Sequence, residues 1–549
     1  MELNDSAPYG RTRIERERFY RERGLWTDEC LGLLPATAAS RWPDREFVYC
    51  DGRRYTYQEF WRWTLAVAHD LTARGLKPGD HILLQMANGM EVLVLQFAAW
   101  RIGAVSIPVV PMFRLRELTT IVDELHPKMI AVSAQVGSRN LADEVDKVVA
   151  ETGLKPLEMY LVGGADRGGW RRLPASPAPS TPLDEAGLPS PPPADKCCLT
   201  LYTSGSTAAP KGALLTPRAI LSNSMTYRLT HGLDESMVAL AASPLAHVAA
   251  LATGIINPMT VGGRTVVMST WRPEAGIQLI EQERVTHFGT VVTYLQDIVE
   301  LYEKGDGGDH RIRIVSVGGA PTPPTLIHRA DAIGIGAINQ YGMTEVACNS
   351  TLGRPDHPLE RRAVNSGRVV YGTEIQAVDE DRRALPPGEV GELRIRSPQL
   401  MLGYTSPEAT AECMDEDGWF YTGDVGSVDD EGWLRIHGRI KDIINRGGEK
   451  FSAQDIEIAL AGFPGVAAVA AVGAPDARFG EVVAAFVKLA PDAEWAGPEP
   501  LLAHLETLRM ARSKFPVIWR VVDQFPVTAA GKIQKQALRD QLKAEMLVE

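Results

Sequence analysis

The sequence predicts an α/β protein that is built from several subdomains. Helix and strand patterns alternate between about residues 50 and 135, which predicts a parallel sheet covered by helices. A connector rich in Pro, Ala and Ser at residues 173–196 precedes a second α/β stretch, which continues to about residue 353. The length of 549 residues also exceeds what one hydrophobic core can organise.

The first α/β stretch predicts its elements in a regular order. Thr56 and Glu59 form a capping box before an amphipathic helix at residues 60–74, which Gly75 can end. The elements expected after it are a strand at 81–86, a helix at 90–102, a strand at 104–110, a helix at 115–125 and a strand at 129–132.

The last third of the chain has a different pattern. Residues 367–395 predict short strands separated by turns such as Pro386-Pro387-Gly388, and therefore a small β-rich subdomain. The remaining residues mix strands and helices, which predicts a small α+β C-terminal domain behind a hinge in the loop at 439–448. We place the boundary between an N-terminal domain, 1–437, and a C-terminal domain, 438–549.

Composition excludes some classes of function. The chain has 57 Lys and Arg against 69 Asp and Glu, a formal net charge of −12, so it offers no overall basic field for nucleic acid. Its six cysteines have no CxxC spacing, which favours a reduced, cytoplasmic protein without a cysteine metal site.

Two segments share some features with targeting or membrane-spanning sequences. Residues 11–23 are rich in Arg but carry interleaved Glu, so a salt-bridged helix is expected rather than a transit peptide. The uncharged run 236–263 is long enough to span a bilayer but contains Pro, His, Asn and Gly. We expect a buried strand and helix there, and no membrane span.

The most informative loop, residues 202–212, follows an apolar strand pattern and is here called the first motif. Its small residues let backbone N–H groups approach phosphate closely, and its hydroxyls and Lys211 add donors and positive charge. It is not a Walker A loop, because Pro210 stands where a glycine should precede the lysine and Gly212 replaces the metal-binding Ser or Thr.

The first motif resembles the phosphate loop of the adenylate-forming superfamily, which includes acyl-CoA synthetases, adenylation domains and luciferases. Four further segments resemble that family's other motifs in the same order. They are the second motif at 340–345, the third at 420–424, the fourth at 438–442 and the fifth at 526–532. The resemblance implies that the C-terminal domain is mobile and that ATP, Mg²⁺ and coenzyme A are used.

The resemblance implies an ATP site built from these motifs. Phosphates would be held by Thr203, Ser204, Gly205, Ser206, Thr207 and Lys211. The adenine and its surroundings would be contacted by Gly318, Gly319, Ala320, Pro321, Gln340, Tyr341, Gly342 and Met343, with Tyr341 stacking on the ring. Thr344 would contact the α-phosphate, Glu345 would bind Mg²⁺, Asp424 would accept the ribose hydroxyls, and Arg439 would bind ribose or phosphate.

In the family a lysine in the fifth motif enters the site for adenylation and leaves for thioester formation, and here it is Lys532. Lys441 would be the hinge, and Gly447, Gly448 and Glu449 would then line a thiol channel. The sequence departs from the usual family pattern at three places, namely Ala208, Ala530 and Lys535. None of them removes a charged catalytic group.

The acyl pocket is expected around His247, Val248, Gly318 and Gly342. Parts of the sequence near residues 19–26 and 111–114 resemble cyclohexanecarboxylate-CoA ligases and aryl-acid adenylating enzymes. The latter usually have an asparagine after the histidine, where this chain has Val248, so a hydroxybenzoate is disfavoured. Small residues at Ala249, Ala250, Ala252 and Gly254 favour a bulky apolar acid, alicyclic or polycyclic.

Other functions stay open at this point. A carrier-protein phosphopantetheine could replace coenzyme A as the thiol, and a monooxygenase of the luciferase type would use the same motifs. An inactive relative that only binds acyl groups or nucleotides is the alternative from another class. A homodimer is also left open.

Overall fold

The computed structural model describes residues 10–203, 210–490, 493–527 and 533–546. Its helices are α1 Arg13–Glu22, α2 Leu34–Arg41, α3 Tyr57–Ala73, α4 Met90–Arg101, α5 Leu115–Leu125, α6 Leu141–Thr152, α7 Pro217–His231, α8 Val248–Leu251, α9 Asn257–Val261, α10 Pro273–Gln282, α11 Val292–Lys304, α12 Pro324–Ala332, α13 Leu359–Val364, α14 Pro407–Cys413, α15 Ala453–Ala461, α16 Glu499–Thr507 and α17 Lys535–Met546. Short 3₁₀ turns lie at Leu31–Leu33, Thr344–Val346, Ile440–Asp442 and Arg512–Lys514, and a π-helical turn at Ala252–Ile256.

The strands are β1 Glu46–Cys50, β2 Arg53–Thr56, β3 His81–Gln85, β4 Val105–Pro108, β5 Met129–Ser133, β6 Gln135–Val136, β7 Arg139–Asn140, β8 Glu158–Val162, β9 Arg171–Arg172, β10 Leu199–Thr203, β11 Lys211–Leu215, β12 Val238–Ala241, β13 Arg264–Val267, β14 His287–Thr290, β15 Ile314–Val317, β16 Ala337–Tyr341, β17 Thr351–Leu352, β18 Arg368–Val369, β19 Glu374–Val378, β20 Gly391–Arg396, β21 Gly403–Tyr404, β22 Phe420–Val428, β23 Leu434–Arg439, β24 Ile443–Arg446, β25 Glu449–Ser452, β26 Val466–Asp476, β27 Gly480–Leu489 and β28 Ile518–Val521.

Two large sheets with parallel centres carry the N-terminal part of the chain. One has nine strands in the order β18-β17-β16-β15-β14-β12-β13-β1-β2, and the other has eight in the order β21-β11-β10-β4-β3-β5-β8-β9. The strands β16, β15, β14, β12, β13 and β1 run parallel, as do β10, β4, β3, β5, β8 and β9. Antiparallel strands form both edges of the nine-stranded sheet and the β11–β21 edge of the eight-stranded sheet.

Two antiparallel sheets follow. The strands β19-β20-β22-β23 form a four-stranded sheet, which is the β-rich subdomain that the turns around residue 386 predict. Beyond it, β25-β24-β27-β26 with β28 on β27 form the C-terminal sheet, and α15, α16 and α17 accompany it. The α/β architecture with a large N-terminal and a small C-terminal domain is therefore confirmed.

The elements predicted in the first α/β stretch are present within a few residues of their expected limits. The capping box of α3 forms as expected, with the Thr56 side chain accepting from the Glu59 N–H and the Glu59 carboxylate accepting from the Thr56 N–H. The run 236–263 contains β12, α8 and α9, almost wholly buried among other elements. None of the described helices has both the length and the apolar character that a membrane crossing requires.

The N-terminal helix is less solvated than the salt-bridged pattern predicts. Arg16, Phe19 and Tyr20 on one face of α1 are buried. The Arg16 guanidinium donates to the backbone carbonyl oxygens of Arg11 at 2.7 Å and Asp417 at 2.7 Å. Helix α1 therefore ties the start of the described chain to the β-rich subdomain.

Candidate active site

The predicted acyl and adenine segments lie at one edge of the nine-stranded sheet. Strands β12, β14, β15 and β16 are parallel in this sheet, so the loops that follow them emerge on the same side. The loop after β12 carries His247, the turn after β15 carries residues 318–321, and the loop after β16 carries the second motif. Ligand sites of open α/β sheets form at the carboxyl ends of the strands.

The second motif is held in a tight loop that only glycine permits at its start. A Cβ atom on Gly342 would lie 1.7 Å from the Cys348 carbonyl oxygen, so the two backbone segments are in direct contact. Ala347 and Cys348 have φ values of 50° and 121°, which side chains rarely adopt. Because such strain persists only where the surroundings enforce it, the loop fixes the intervening Thr344 and Glu345.

Asp424 of the third motif is the centre of a buried polar cluster. The Tyr341 hydroxyl donates to Asp424 Oδ2 at 2.6 Å, and Arg439 Nε donates to Oδ1 at 2.9 Å. Asp424 on β22 pairs in register with Arg439 on β23, and its residue is 6% exposed. Burial, and then the Asp424 charge, raise the pKa of Tyr341, so its phenol stays a neutral donor. Second, third and fourth motifs therefore meet at one carboxylate.

A second cluster joins Glu345 to Lys211. The Tyr404 hydroxyl donates to Glu345 Oε1 at 2.7 Å, and the Lys211 ammonium lies 5.4 Å from the centre of the Tyr404 ring. Lys211 Nζ also lies 3.7 Å from a Glu412 carboxylate oxygen. Burial, and then the Glu345 charge, raise the pKa of Tyr404, which keeps its hydroxyl protonated and donating. The first and second motifs are thus linked through one tyrosine.

The donor set around Glu345 fits a magnesium ion held together with phosphate. Mg²⁺ in nucleotide sites is bound through one or two carboxylates, phosphate oxygens and water. Glu345 is a buried carboxylate fixed by Tyr404, next in sequence to Thr344. Within the described ranges no three His, Cys, Asp or Glu residues gather into a site that could hold a metal alone. A metal here would therefore need the phosphates as partners.

The first and fifth motifs are described in part. Thr203 and Lys211 pair across the β10–β11 hairpin, with the Thr203 hydroxyl 3.4 Å from the Lys211 carbonyl oxygen. The predicted phosphate-binding residues Ser204, Gly205, Ser206 and Thr207 lie outside the described residues, as does Ala208. The predicted catalytic Lys532 and the departure at Ala530 also lie outside them.

The adenine-side segments differ in their surroundings. Gly319, Ala320 and Pro321 form an exposed turn, and Gly319 has a φ of 83°. A Cβ on Gly318 would come within 3.2 Å of the Gln340 side chain, so these two residues are neighbours. The Met343 side chain packs against apolar residues of two core clusters.

His247 is positioned by a residue that the sequence did not predict. His247 lies at the N-terminal end of α8 and accepts from the Leu251 N–H at 3.2 Å through its carbonyl oxygen. The buried Asn88 accepts from the Leu245 N–H at 2.8 Å and donates to the carbonyl oxygens of Ser243 at 2.9 Å and Met268 at 3.1 Å. Asn88 therefore fixes the loop that leads to His247.

Most of the small residues after His247 are buried and pack against other parts of the domain. Ala250 and Ala252 are 3% and 0% exposed, and Gly254 is buried. A Cβ on Gly254 would lie 3.0 Å from the Ala241 Cβ, so its size lets the π-helical turn pack on β12. Only Ala249 keeps partial exposure beside Val248. The expectation that these four residues make room for a bulky acid stays a prediction, and Ala249 is the one of them that is partly exposed.

The hinge and the predicted thiol channel lie next to each other at the start of the C-terminal sheet. Lys441 is in the 3₁₀ turn directly after Arg439 and is exposed. Gly447 and Gly448 form the turn of the β24–β25 hairpin with φ values of 63° and 92°, and Glu449 pairs with Arg446 there. The three channel residues are exposed in this structure.

Three contributors to these clusters were not predicted from sequence: Tyr404, Glu412 and Asn88. Tyr404 lies in a two-residue edge strand, and the residues around it have no periodic pattern that would reveal the carboxylate it meets. Asn88 follows a predicted strand, as polar ligand-edge residues often do, and this position is the one signal that sequence could have offered.

Known protein families and individual relatives match nearly the whole chain. The family described as "AMP-binding enzyme" matches residues 36–405, and "AMP-binding enzyme C-terminal domain" matches residues 455–532. The medium-chain fatty-acid–CoA ligase of Escherichia coli (strain K12) is 31% identical over 537 residues, 96% of this chain and 92% of that protein.

Two further similarities bear on the site. A protein from a Streptomyces species named "salicylyl-CoA synthase / salicylate adenylyltransferase" is 34% identical over 535 residues, 96% of this chain and 96% of that protein. Among solved structures, ATP-bound MatB from Rhodopseudomonas palustris has a TM-score of 0.81 at 27% identity, over 93% of this chain and 99% of that one.

Proposed function

Because the chain belongs to the AMP-binding enzyme family, we propose that it is an AMP-forming acyl-CoA ligase, which activates a carboxylic acid with ATP and passes the acyl group to coenzyme A. Adenylate formation and ATP binding are properties that the family and the relatives support together. The thiol acceptor and the acid are the parts that we propose.

One observation carries the proposal. A continuous path of contacts runs from Arg439 through Asp424 to Tyr341, and the same loop continues to Glu345, Tyr404 and Lys211. Four of the five sequence motifs contribute residues to this path. It contains two cations, Arg439 and Lys211, two carboxylates and two neutral tyrosine hydroxyls. Such groups suit a nucleoside triphosphate, because its ribose hydroxyls need an acceptor and its phosphates and metal need cationic and carboxylate partners.

In the first half-reaction a carboxylate oxygen of the acid bonds to the α-phosphorus of ATP, and the bond to the pyrophosphate oxygen breaks. We propose that Lys211 neutralises the departing phosphates, that Thr344 donates to the α-phosphate, and that Asp424 accepts from the ribose. Magnesium bound at Glu345 would add positive charge where negative charge develops on the phosphates. Lys532 would bridge the acid and the α-phosphate.

In the second half-reaction the thiol sulfur attacks the acyl carbon and AMP leaves as the mixed anhydride bond breaks. We propose that residues 438–549 rotate at Lys441, so that the Gly447–Gly448–Glu449 turn replaces Lys532 at the site. The exposure of this turn and of Lys441 supports the proposal, because both can move without opening a core. A cytoplasmic location and a homodimer stay predictions.

We propose an acid that is apolar where it meets the His247 loop. Val248 and Ala249 follow His247 and supply only methyl groups, so a ring hydroxyl buried there would lose its hydrogen bonds to water without replacement. One relative is named for salicylate, so comparing salicylate with acids that lack a ring hydroxyl is informative. Exchange rates on cyclohexanecarboxylate, a medium-chain fatty acid and salicylate test it, and a clear preference for salicylate would contradict it.

The function as a whole is tested by acid-dependent exchange of pyrophosphate into ATP, followed by mass spectrometry of the products with coenzyme A. We expect exchange with at least one acid, an acyl-CoA product, and loss of exchange in Lys532→Ala. Exchange without acyl-CoA would favour loading of a carrier protein, a reading that the adenylyltransferase name of one relative supports. No exchange with any acid would favour an inactive binding protein.

A further inference from the structure

Helix α17 begins shortly after the fifth motif and is anchored at two points. The Lys535 ammonium lies 2.7 Å from Glu457 Oε1 on α15, which fixes the first turn to the body of the C-terminal domain. One turn later, Arg539 Nη2 donates to Asp442 Oδ1 at 2.5 Å and to the Lys441 carbonyl oxygen at 2.9 Å. The helix thus connects the segment of the predicted catalytic lysine to the predicted hinge.

The second anchor, formed by Arg539, ties α17 directly to the hinge turn. The side chains of Arg539 and Asp442 are 15% and 16% exposed, so this ion pair is mostly removed from water. A hydrogen bond to a charged group with limited solvent access is stronger than an exposed one. The backbone torsions around Lys441 set the direction of its peptide plane, so the bond from Arg539 to the Lys441 carbonyl oxygen favours the torsions of this structure.

We propose that Arg539 is a positioning residue that holds the Lys441 hinge in the orientation of this structure, so that domain rotation begins when its bond to the hinge carbonyl breaks. The inference rests on the proposed function, since it assigns Lys441 as the hinge between two half-reactions. It assigns Arg539 no contact with substrate. Its action is to bias the equilibrium between the two orientations of the C-terminal domain.

The variant Arg539→Ala tests the proposal against Arg520→Ala. Arg520 also holds α17, through two bonds to Glu545 at 2.9 and 3.2 Å, but it does not contact the hinge. Acyl-AMP formation without coenzyme A and thioester formation from supplied acyl-AMP are measured separately. We expect Arg539→Ala to change the ratio of the two rates by roughly tenfold, and Arg520→Ala to leave it unaltered. Arg539→Lys, which keeps the charge, should restore part of the ratio.

Hydrogen–deuterium exchange of residues 440–446 provides a readout that needs no substrate. In Arg539→Ala we expect these amides to exchange roughly tenfold faster than in Arg520→Ala. Equal exchange in the two variants, or both half-reactions lowered by the same factor, would show a merely structural role and overturn the inference. If the wild-type protein forms no acyl-AMP, the proposed function fails, while the exchange experiment still decides whether Arg539 holds this segment.

Discussion

Tyr404 shows how much a single side chain contributes to this site. Its hydroxyl fixes one oxygen of Glu345, and its ring faces the Lys211 ammonium, so it orders the groups proposed for the metal and for the phosphates. The sequence predicted Glu345 and Lys211 through their motifs. It could not predict Tyr404, because which carboxylate a tyrosine meets depends on the pairing of β21 with β11.

Tyr404→Phe should weaken the response to magnesium. Removal of the hydroxyl leaves the Glu345 carboxylate without a 2.7 Å donor, and hydrogen bonds to charged groups are worth about 1.5–3 kcal/mol. We expect pyrophosphate exchange to need roughly tenfold more Mg²⁺ for half its maximal rate. Tyr160→Phe removes an equal 2.7 Å bond to Asp70, which lies outside both site clusters, and should change nothing. Equal behaviour of both variants would contradict the assignment.

Asp424→Asn should weaken nucleotide binding rather than folding. The amide keeps the volume but replaces one accepting oxygen by a donor that faces either the Tyr341 hydroxyl or the Arg439 guanidinium. We expect the dissociation constant of ATP, measured by calorimetry, to rise by roughly tenfold or more. Asp415 accepts from the Tyr421 hydroxyl at 3.1 Å in the same subdomain, so Asp415→Asn is the matched control. An unchanged ATP affinity in Asp424→Asn would exclude Asp424 from the nucleotide site.

The loop after β16 can fold as it does because Gly342 has no side chain. Gly342 touches the Cys348 carbonyl oxygen, and two residues with left-handed torsions close the loop. A sequence reading can name this motif, because its glycine and its carboxylate stand in a family pattern. The closeness of the two backbone segments depends on the return of β17 beside β16, which no local pattern encodes.

Gly342→Ala should inactivate the enzyme with the rest of the fold preserved. The added methyl would overlap the Cys348 carbonyl oxygen at 1.7 Å, so the loop must open and move Glu345. We expect exchange activity to fall by roughly a hundredfold or more, since small misplacements of reacting groups have effects of that order. Gly168, which has open space at its Cβ position, gives the control Gly168→Ala. Near-normal exchange by Gly342→Ala would show that the loop tolerates opening.

The predicted elements were reliable where local signals are strong. The capping box of α3 and the strands β3 and β5 formed as the pattern indicates. The sequence did not indicate that β1 pairs with β13 in the nine-stranded sheet. This pairing joins Val48 to Thr265, and the whole first α/β stretch lies between them in the sequence. Local periodicity does not predict which distant strands pair.

At the scale of the whole molecule, that pairing makes the two α/β subdomains interdependent. Strands β1 and β2 come from the start of the chain but complete the nine-stranded sheet, while β21 completes the eight-stranded sheet from much later in the sequence. Neither sheet is contiguous in sequence, so we expect the large domain to unfold as one unit. Two histidines of the large domain, His287 in β14 and His231 at the end of α7, give its stability a pH dependence.

Acidification from pH 7 to pH 5 should destabilise the large domain. Burial lowers the pKa of His231 to about 3 and that of His287 to about 4. Both stay neutral in the folded protein, whereas the unfolded chain binds protons below a pKa of about 6.5, so stability falls as the pH drops below that value. Each contributes up to about 1.4 kcal/mol per pH unit.

Thermal unfolding followed by fluorescence at pH 7 and pH 5 measures this effect. We expect His231→Phe to lose less Tm on acidification than the wild-type protein, because one of the two groups no longer takes up a proton on unfolding. His328, whose side chain is 39% exposed, gives the control His328→Phe. A Tm that falls equally in all three proteins would show that other groups govern acid stability.

The cluster around Asp424 has a consequence for how strongly a nucleotide can bind. Each carboxylate oxygen already has one donor and keeps a second lone pair, which a ribose hydroxyl could use without displacing Tyr341 or Arg439. Tyr341 and Arg439 therefore hold the carboxylate in place before a nucleotide arrives, which lowers the cost of ordering this side chain on binding. Since Arg439 is the last residue before the hinge turn, the preformed nucleotide cluster and the hinge lie on one continuous stretch of backbone.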